Sequence, residues 1–211
     1  SGSNYWSYAT DFDGTSLSGS ERQVDVRIAS SSVIAVSGGV LDMIGVASAT
    51  TTVAVQGAGH YSFAVSGGTF NADYYSFRNL SSTGLTLSGA PTITSLSHGD
   101  YELDINSGTL ITVAGTVIDA NVLKIFTYNR FATSTGISTG TAVTATGSTG
   151  SSWKFNLHYG DIDGENFDVD PQGDPGYIRW DDSATAITIS GNVYSDEGST
   201  VSAVCNGSTQ V

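Results

Sequence analysis

The sequence predicts an all-β fold: a right-handed parallel β-helix solenoid followed by a partial C-terminal β-sandwich segment. Three observations predict it. Apolar residues recur in short alternating runs, the signature of half-buried strands. Helical spacing is absent, and Ser, Thr and Gly interrupt every stretch long enough for a helix. A glycine-bearing turn motif also recurs every roughly 20–30 residues, the interval at which stacked repeats are to be suspected.

Taken in order, residues 1–24 form an entry segment. Its first part, Ser1–Gly19, is polar with aromatic Tyr5, Trp6 and Tyr8. It is expected to cap the first coil, because an open solenoid end exposes core and unpaired strand edges. Residues 25–183 are expected to be the solenoid. Val24–Ile28, Val33–Val36, Thr52–Val55, Tyr61–Val65, Leu85–Leu87, Tyr101–Ile105, Leu110–Val113, Leu123–Phe126, Trp153–Leu157 and Ala186–Ile189 each read as a strand between turn residues. Residues 156–183 form an acidic closing loop. Residues 184–211 are expected to be the start of a β-domain, or strands exchanged with another chain.

The turn motif is AVSGGV at Ala35–Val40 and AVSGGT at Ala64–Thr69, with weaker versions LSGA at Leu87–Ala90 and NSGTL at Asn106–Leu110. A solenoid coil turns corners every few residues, and glycine supplies the positive φ that some corners need. The residue after each corner points inward and stacks on its equivalent about 4.8 Å away. Gly68–Leu87, GTFNADYYSFRNLSSTGLTL, is the most telling stretch. It resembles coils of pectate-lyase-like parallel β-helix proteins, in which an inward aromatic strand leads into an Arg-Asn turn and then a Gly-Leu strand. The resemblance implies that Phe70, Tyr75 and Phe77 face inward, that Arg78 and Asn79 turn, and that Leu85 and Leu87 start the next strand. Ile187–Val211 resembles the opening strands of a small immunoglobulin-like or carboxypeptidase-regulatory-like β-domain. A jelly-roll sandwich is the competing all-β reading, but it favours Asn-Gly or Asp-Gly hairpins, and the turns here are Ser-Gly, Gly-Gly and Thr-Gly.

Charge narrows the partners. Seven Lys and Arg stand against 20 Asp and Glu, a formal net charge of −13. A nucleic-acid binder needs a basic footprint, which this composition lacks. Anionic surfaces are repelled at long range. No apolar run approaches the ~20 residues that span a bilayer as a helix. Low lysine with abundant Ser, Thr and Gly leads to the expectation of an extracellular, cell-surface location. The chain opens on Ser1 and its one methionine is Met43, so a mature, cleaved or truncated form is expected. Cys205 is either a free thiol or half of a disulfide with a partner beyond Val211; the second is favoured here.

Candidate chemistry concentrates in GDIDGENFDVDPQGDPG, Gly160–Gly176. Asp161, Asp163, Glu165, Asp168 and Asp170 alternate with other residues and glycine turns, and such carboxylates can converge on Ca²⁺. The EF-hand pattern fails, since Asn166 and Gln172 stand where Gly and Glu are required. The plainer alternative is a solvated loop closing the solenoid. Asp11 and Asp13 form a weaker copy. Calcium is the one cofactor the sequence admits. Gly57–Gly59 lacks the strand-to-helix context of a phosphate loop.

Polysaccharide chemistry is the enzymatic alternative. A hydrolase needs two carboxylates about 5–10 Å apart, and the mid-solenoid acids are Asp73, Asp100, Glu102, Asp104 and Asp119. Asp100, Glu102 and Asp104 alternate with Tyr101, Leu103 and Ile105, which puts all three acids on one outer strand face. A lyase needs a base or cation, and Arg78, Lys124, Arg130 and Lys154 sit in no recognisable motif. His60, His98 and His158 lack metal-ligand spacing and read as turn or surface residues. Trp153, Tyr177 and Trp180, with Trp6, would bind glycan rings if exposed in a row, or else serve as packing. Asn79 and Asn206 fit the N-glycosylation pattern. The reading that fits best is a non-enzymatic structural module of a surface protein or fibre, adhesin-like, associating with itself or with neighbouring domains of a longer chain. The alternative is a module that binds or degrades polysaccharides such as cell-surface glycans.

Overall fold

The computed structural model describes residues 24–147, 149–173 and 176–181, and the backbone of 192–194 and 201–204. Sixteen strands succeed one another: β1 Asp25–Ile28, β2 Val33–Ile44, β3 Thr51–Val55, β4 Tyr61–Arg78, β5 Leu80–Leu87, β6 Thr92–Leu103, β7 Gly108–Ala114, β8 Ile125–Thr127, β9 Arg130–Thr133, β10 Gly140–Thr146, β11 Trp153–Asn156, β12 Tyr159–Gly160, β13 Asp168–Val169, β14 Ile178–Asp181, β15 Asn192–Tyr194 and β16 Val201–Val204. A short helix, α1 Gly115–Ala120, follows β7. Every ladder from β1 to β14 is parallel. The chain is a parallel β-solenoid of about 6 turns.

The registers resolve three faces. Face I stacks β1, β3, the ends of β4 and β6, then β9 and β12. Face II stacks the first half of β2, the start of β4, β5, β7, β10 and β13. Face III stacks the second half of β2, the middle of β4, the first half of β6, then β8, β11 and β14. Register partners lie 19–32 residues apart in sequence, from Tyr61 with Leu80 to Ile111 with Val143.

Alternation drives one row per strand inward. Face II contributes Ile34, Phe63, Leu85, Ile111 and Val143 in one row and Val36, Val65, Leu87, Val113 and Ala145 in the next. Face I contributes Val53, Phe77, Tyr101 and Phe131, all buried. Tyr101 lies 5.8 Å from Phe77 and 5.4 Å from Phe131, the latter pair stacked nearly parallel at 6°. Buried phenols need partners. Tyr75 and Tyr101 share one hydrogen bond of 2.6 Å, and Tyr61 donates to the Val53 carbonyl at 3.0 Å. The inward placement expected for Phe70, Tyr75 and Phe77 is what the structure has, and Leu85 and Leu87, expected in the next strand, lie buried in β5.

The corners differ from one another. Between faces II and III the chain turns at Gly39, Gly68 and Gly89, all with φ between +66° and +76°. The AVSGG and LSGA repeats are therefore one corner seen three times. NSGTL is not part of that set: Ser107, at φ +59°, turns between faces I and II, as does Asn79 at φ +60°. Between faces III and I the corner uses no glycine after the first coil. Tyr74, His98, Tyr128 and Leu157 occupy it in turn, at φ +50° to +58°.

Two buried asparagines hold these bends. Asn129 accepts from the Gly99 N–H at 2.8 Å and donates to the Leu96 carbonyl at 3.0 Å, satisfying the corner of the coil before it. Asn121, at the end of α1, accepts from Ile93 N–H and donates to the Pro91 and Val117 carbonyls. The helix was not expected, because Gly115, Thr116, Val117 and Ile118 are weak helix formers. Burial of Val117 and Ile118 holds it in place.

The strand expected at Ala186–Ile189 lies outside the described residues, as do the entry segment 1–23 and Cys205. Within 184–211 the described part is one antiparallel pair, β15 with β16.

Candidate functional site

Two places gather ionisable side chains: the outer surface of face I and the closing loop. On face I, alternation puts Asp100, Glu102 and Asp104 outward, as the sequence predicts. Asp100 sits between two guanidinium groups from neighbouring coils. Arg78 pairs with one carboxylate oxygen and donates to the Asp100 carbonyl at 2.9 Å, and Arg130 donates to the other carboxylate oxygen at 2.8 Å. Burial alone would push the Asp100 carboxyl up, but the two arginines outweigh it and hold it below the usual carboxylate value. Its hydrogen bond to Asp100 holds Arg130 more firmly protonated in turn. Glu102 lies 3.9 Å from Arg78 Nε. Asp104 accepts from Asn79 Nδ2 at 2.7 Å and lies 3.3 Å from His60 Nε2, while its second oxygen is buried without a partner.

This is a poor arrangement for glycoside cleavage. A general acid there needs a carboxyl pushed up toward neutrality, and Asp100 is held the other way. The cations suggested for a lyase are also engaged. Arg78 and Arg130 clamp Asp100, Lys154 pairs with Asp181, and Lys124 donates to the carbonyls of Ile118 and Asp119. Asp73 pairs with His98 Nδ1 at 2.7 Å. Asp119 accepts from Thr149 Oγ1 at 2.5 Å and Gly150 N–H at 2.9 Å; the Thr149 bond leads in holding its carboxyl low.

The closing loop places the five acids named for calcium separately. Asp161 accepts from Thr133 N–H and Oγ1 at 2.8 and 2.5 Å. Burial acts to raise the Asp161 carboxyl, but these bonds and Arg130 leave it lowered. Asp163 meets His158 Nδ1 at 2.6 Å. Glu165 accepts from Trp180 N–H at 3.2 Å, and Asp168 from Trp180 Nε1 at 2.7 Å. Asp170 accepts from the N–H groups of Gln172, Tyr177 and Ile178. Among the described residues no three His, Cys, Asp or Glu side chains gather where a metal ion would sit. The convergence on Ca²⁺ expected of Asp161, Asp163, Glu165, Asp168 and Asp170 is therefore not the arrangement observed.

The acids do a different job. The β11 ladder uses the amides of Arg179 and Asp181, since Trp153 N–H bonds the Tyr177 carbonyl and Leu157 N–H that of Asp181. The amides of Ile178 and Trp180 thus point off the last coil, toward where another strand would pair. Asp170 and Glu165 take those two amides. Asp161 takes the Thr133 amide two residues past the two-residue ladder of β12 on β9. The acidic loop blocks the C-terminal sheet edges with carboxylates, one of the ways natural edges are protected.

The aromatic row suggested for glycans does not form. Trp153 is fully buried, because β11 sends Trp153 and Phe155 inward. Trp180 packs on Phe155 at 5.0 Å, Phe131 at 5.3 Å and His158 at 4.8 Å. Only Tyr177 borders a surface hollow, of about 300 Å³, with Ser151, Ser152, Gln172 and Arg179. His158 departs from its expected surface position: its side chain is 6% exposed.

Sequence reasoning missed a ring stack on the third corner. His98 lies between Tyr74, at 4.1 Å and 8°, and Tyr128, at 5.2 Å and 12°. The rings cover one another's faces, so they brace the corner rather than offer a platform to a sugar. Their spacing of 24 and 30 residues follows the coil, and none of the three left-handed positions is a glycine. Compared with known proteins, the chain matches no family model, no curated protein and no solved structure. What stands beside the sequence resemblance is the architecture alone, and architecture does not fix activity.

Proposed function

We propose that the chain is a structural module of an extracellular surface protein or fibre, a pectate-lyase-like parallel β-helix used as a stiff spacer. The observation that carries this reading is that the outer ionisable groups are spent on neighbouring coils. Asp100 ties Arg78 to Arg130 across three coils, and Asp104 ties Asn79 and His60. Such cross-coil pairing stiffens a stack and leaves few groups to act on a substrate. Six coils at about 4.8 Å give a stack about 30 Å long, so length would come from repeated or adjoining domains, of which residues 184–211 would be one, immunoglobulin-like. The acidic, lysine-poor surface supports an exported location. Self-association would run through exchanged terminal strands, since carboxylates block coil-on-coil growth at the last coil.

A glycan array run with a reducing-sugar assay tests the reading. The expected outcome is neither retention nor release of sugar. Sugar release that disappears in Asp100→Ala or Asp104→Ala would replace this reading with the polysaccharide-degrading one. Retention without release, centred on the Tyr177 hollow, would favour a binding module.

A further inference from the structure

Successive coils are joined by ladders on all three faces, with one exception. Counted from face I to face III, the third coil ends at Ser97 and the fourth begins at Gly99. The first and second coils, the second and third, the fourth and fifth, and the fifth and sixth share a parallel ladder on every face. The third and fourth share one on face I, Tyr75–Arg78 with Gly99–Glu102, and one on face II, Leu85–Leu87 with Ile111–Val113. Among the described residues, face III has none there. Strand β8 does not pair with β6, and β8, β11 and β14 form a sheet of their own.

The cause is local. Helix α1 and residues 121–124 stand between β7 and β8, at the corner that Gly39, Gly68 and Gly89 turn in the earlier coils. This detour keeps β8 from lying along β6. A hollow of about 530 Å³ occupies the gap, lined by Pro91, Ile93, Thr94, Val122 and Leu123. Side chains span the gap where backbone does elsewhere. Asn121 accepts from Ile93 N–H and donates to the Pro91 carbonyl. Ser97 Oγ accepts from Thr127 N–H at 3.1 Å, and Asn129 donates to the Leu96 carbonyl.

We infer that the solenoid is built as two blocks, the three coils up to Ser97 and the three from Gly99, which part at this seam before either block unfolds. In a stack whose stability sums coil and neighbour contributions, the interface with the fewest bonds opens first. Each side keeps three coils, the number at which stacked repeats hold together. The chain crosses from one block to the other inside β6, at the left-handed His98, φ +51°. A parted stack therefore stays linked by one strand, with His98 as its hinge. The inference concerns the stack alone and holds whether the module is a spacer or a glycan binder. In a spacer, the seam is where a pulled module yields first.

Native-state hydrogen exchange by NMR on the full chain, in urea below the unfolding midpoint, tests this. Outward residues send their N–H to the coil before: Ser88 N–H bonds the Val65 carbonyl and Lys154 N–H that of Lys124, both within a block. The same alternation turns the Asp100 amide to β4 and the Thr112 amide to β5, across the seam. Asp100, Thr112, Ile93 and Thr127 should share one opening. They should exchange at least about 10-fold faster than Ser88 and Lys154, the factor that one or two missing hydrogen bonds carry. Asn121→Ala should speed those four further and leave Ser88 and Lys154 unchanged. Should that variant fail to fold, the milder Ser97→Ala gives the same readout. One common rate for all six amides would overturn the inference, as would a variant that speeds all six alike. So would fast exchange at Ile93 and Thr127 with Asp100 and Thr112 as slow as Ser88, which would make the gap a local fray.

Discussion

Replacing Gly68 by alanine isolates the contact between one coil and the next. Gly68 has φ +76°, and a Cβ there would lie 2.5 Å from the Gly39 carbonyl oxygen and 2.7 Å from the Gly38 carbonyl carbon. Gly136 has φ +93° in the turn before β10, and a Cβ there meets nothing within 4 Å. Both alanines incur the left-handed penalty of about 1–2 kcal/mol, and both gain about 0.4–1 kcal/mol from a less flexible unfolded chain. Only Gly68→Ala must also push two backbones apart. Ordinary contact lies near 3.5–4 Å, so the corner has to open by about 1 Å. That strains the ladders of Val36 with Val65 and Val40 with Thr69 on either side, at about 1 kcal/mol for each hydrogen bond lost. The expected cost of Gly68→Ala is about 3 kcal/mol, against about 1 kcal/mol or less for Gly136→Ala. Urea unfolding followed by tryptophan fluorescence measures both. In melting temperature the difference is roughly 4–8 °C for a chain of this size. Costs that agree within about 0.5 kcal/mol would refute the stacked corner.

Three further outcomes follow from named contacts. Asn129→Ala leaves the Gly99 amide and the Leu96 carbonyl buried without partners, at about 2–5 kcal/mol; Asn129→Asp keeps only the first bond and should recover only part of the loss in the same urea assay. The depressed Asp100 carboxyl contributes stability that is complete above its unfolded value near 3.9, and that is lost as pH falls from there through its lower folded value. An acid titration of stability should therefore flatten below about pH 4 in Asp100→Asn, and an unchanged slope would disprove the clamp. Because the closing-loop carboxylates are bonded to Thr133, His158, Trp180 and Ile178, millimolar Ca²⁺ against EDTA should leave the thermal midpoint in place. A rise of several degrees, abolished by Asp161→Asn with Asp163→Asn, would restore the calcium site.

The parts of the fold legible in the sequence are those written in local patterns. Tyr61, Phe63 and Val65 alternate with small residues and are all buried. The Ser-Gly-Gly repeats mark a corner that no residue with a Cβ could occupy beside the coil before it. Other parts rest on tertiary contacts that leave no local mark. Tyr74, His98 and Tyr128 hold a left-handed backbone without glycine because their rings brace one another from coil to coil. Strand β4 runs from Tyr61 to Arg78 through two corners, where the sequence breaks at Ser66 and Gly67 into separate elements. The closing loop left two readings open for a physical reason: alternating carboxylates suit a cation and suit a row of unpaired amides equally well. Only the position of β14 at the end of the stack decides between them. For Trp153 the sequence left glycan binding and packing both open, and β11 decides for packing by turning it inward beside Phe126.

The account rests on parallel coils whose equivalent residues touch, and the ring-proton NOE spectrum of the full chain tests that most directly. It should connect Tyr101 to both Phe77 and Phe131, residues 24 and 30 positions away, with no Hα–Hα contacts among strands β1 to β14. Short Hα–Hα contacts between successive strands such as β4 and β5 occur only in antiparallel pairs, and finding them would contradict the solenoid.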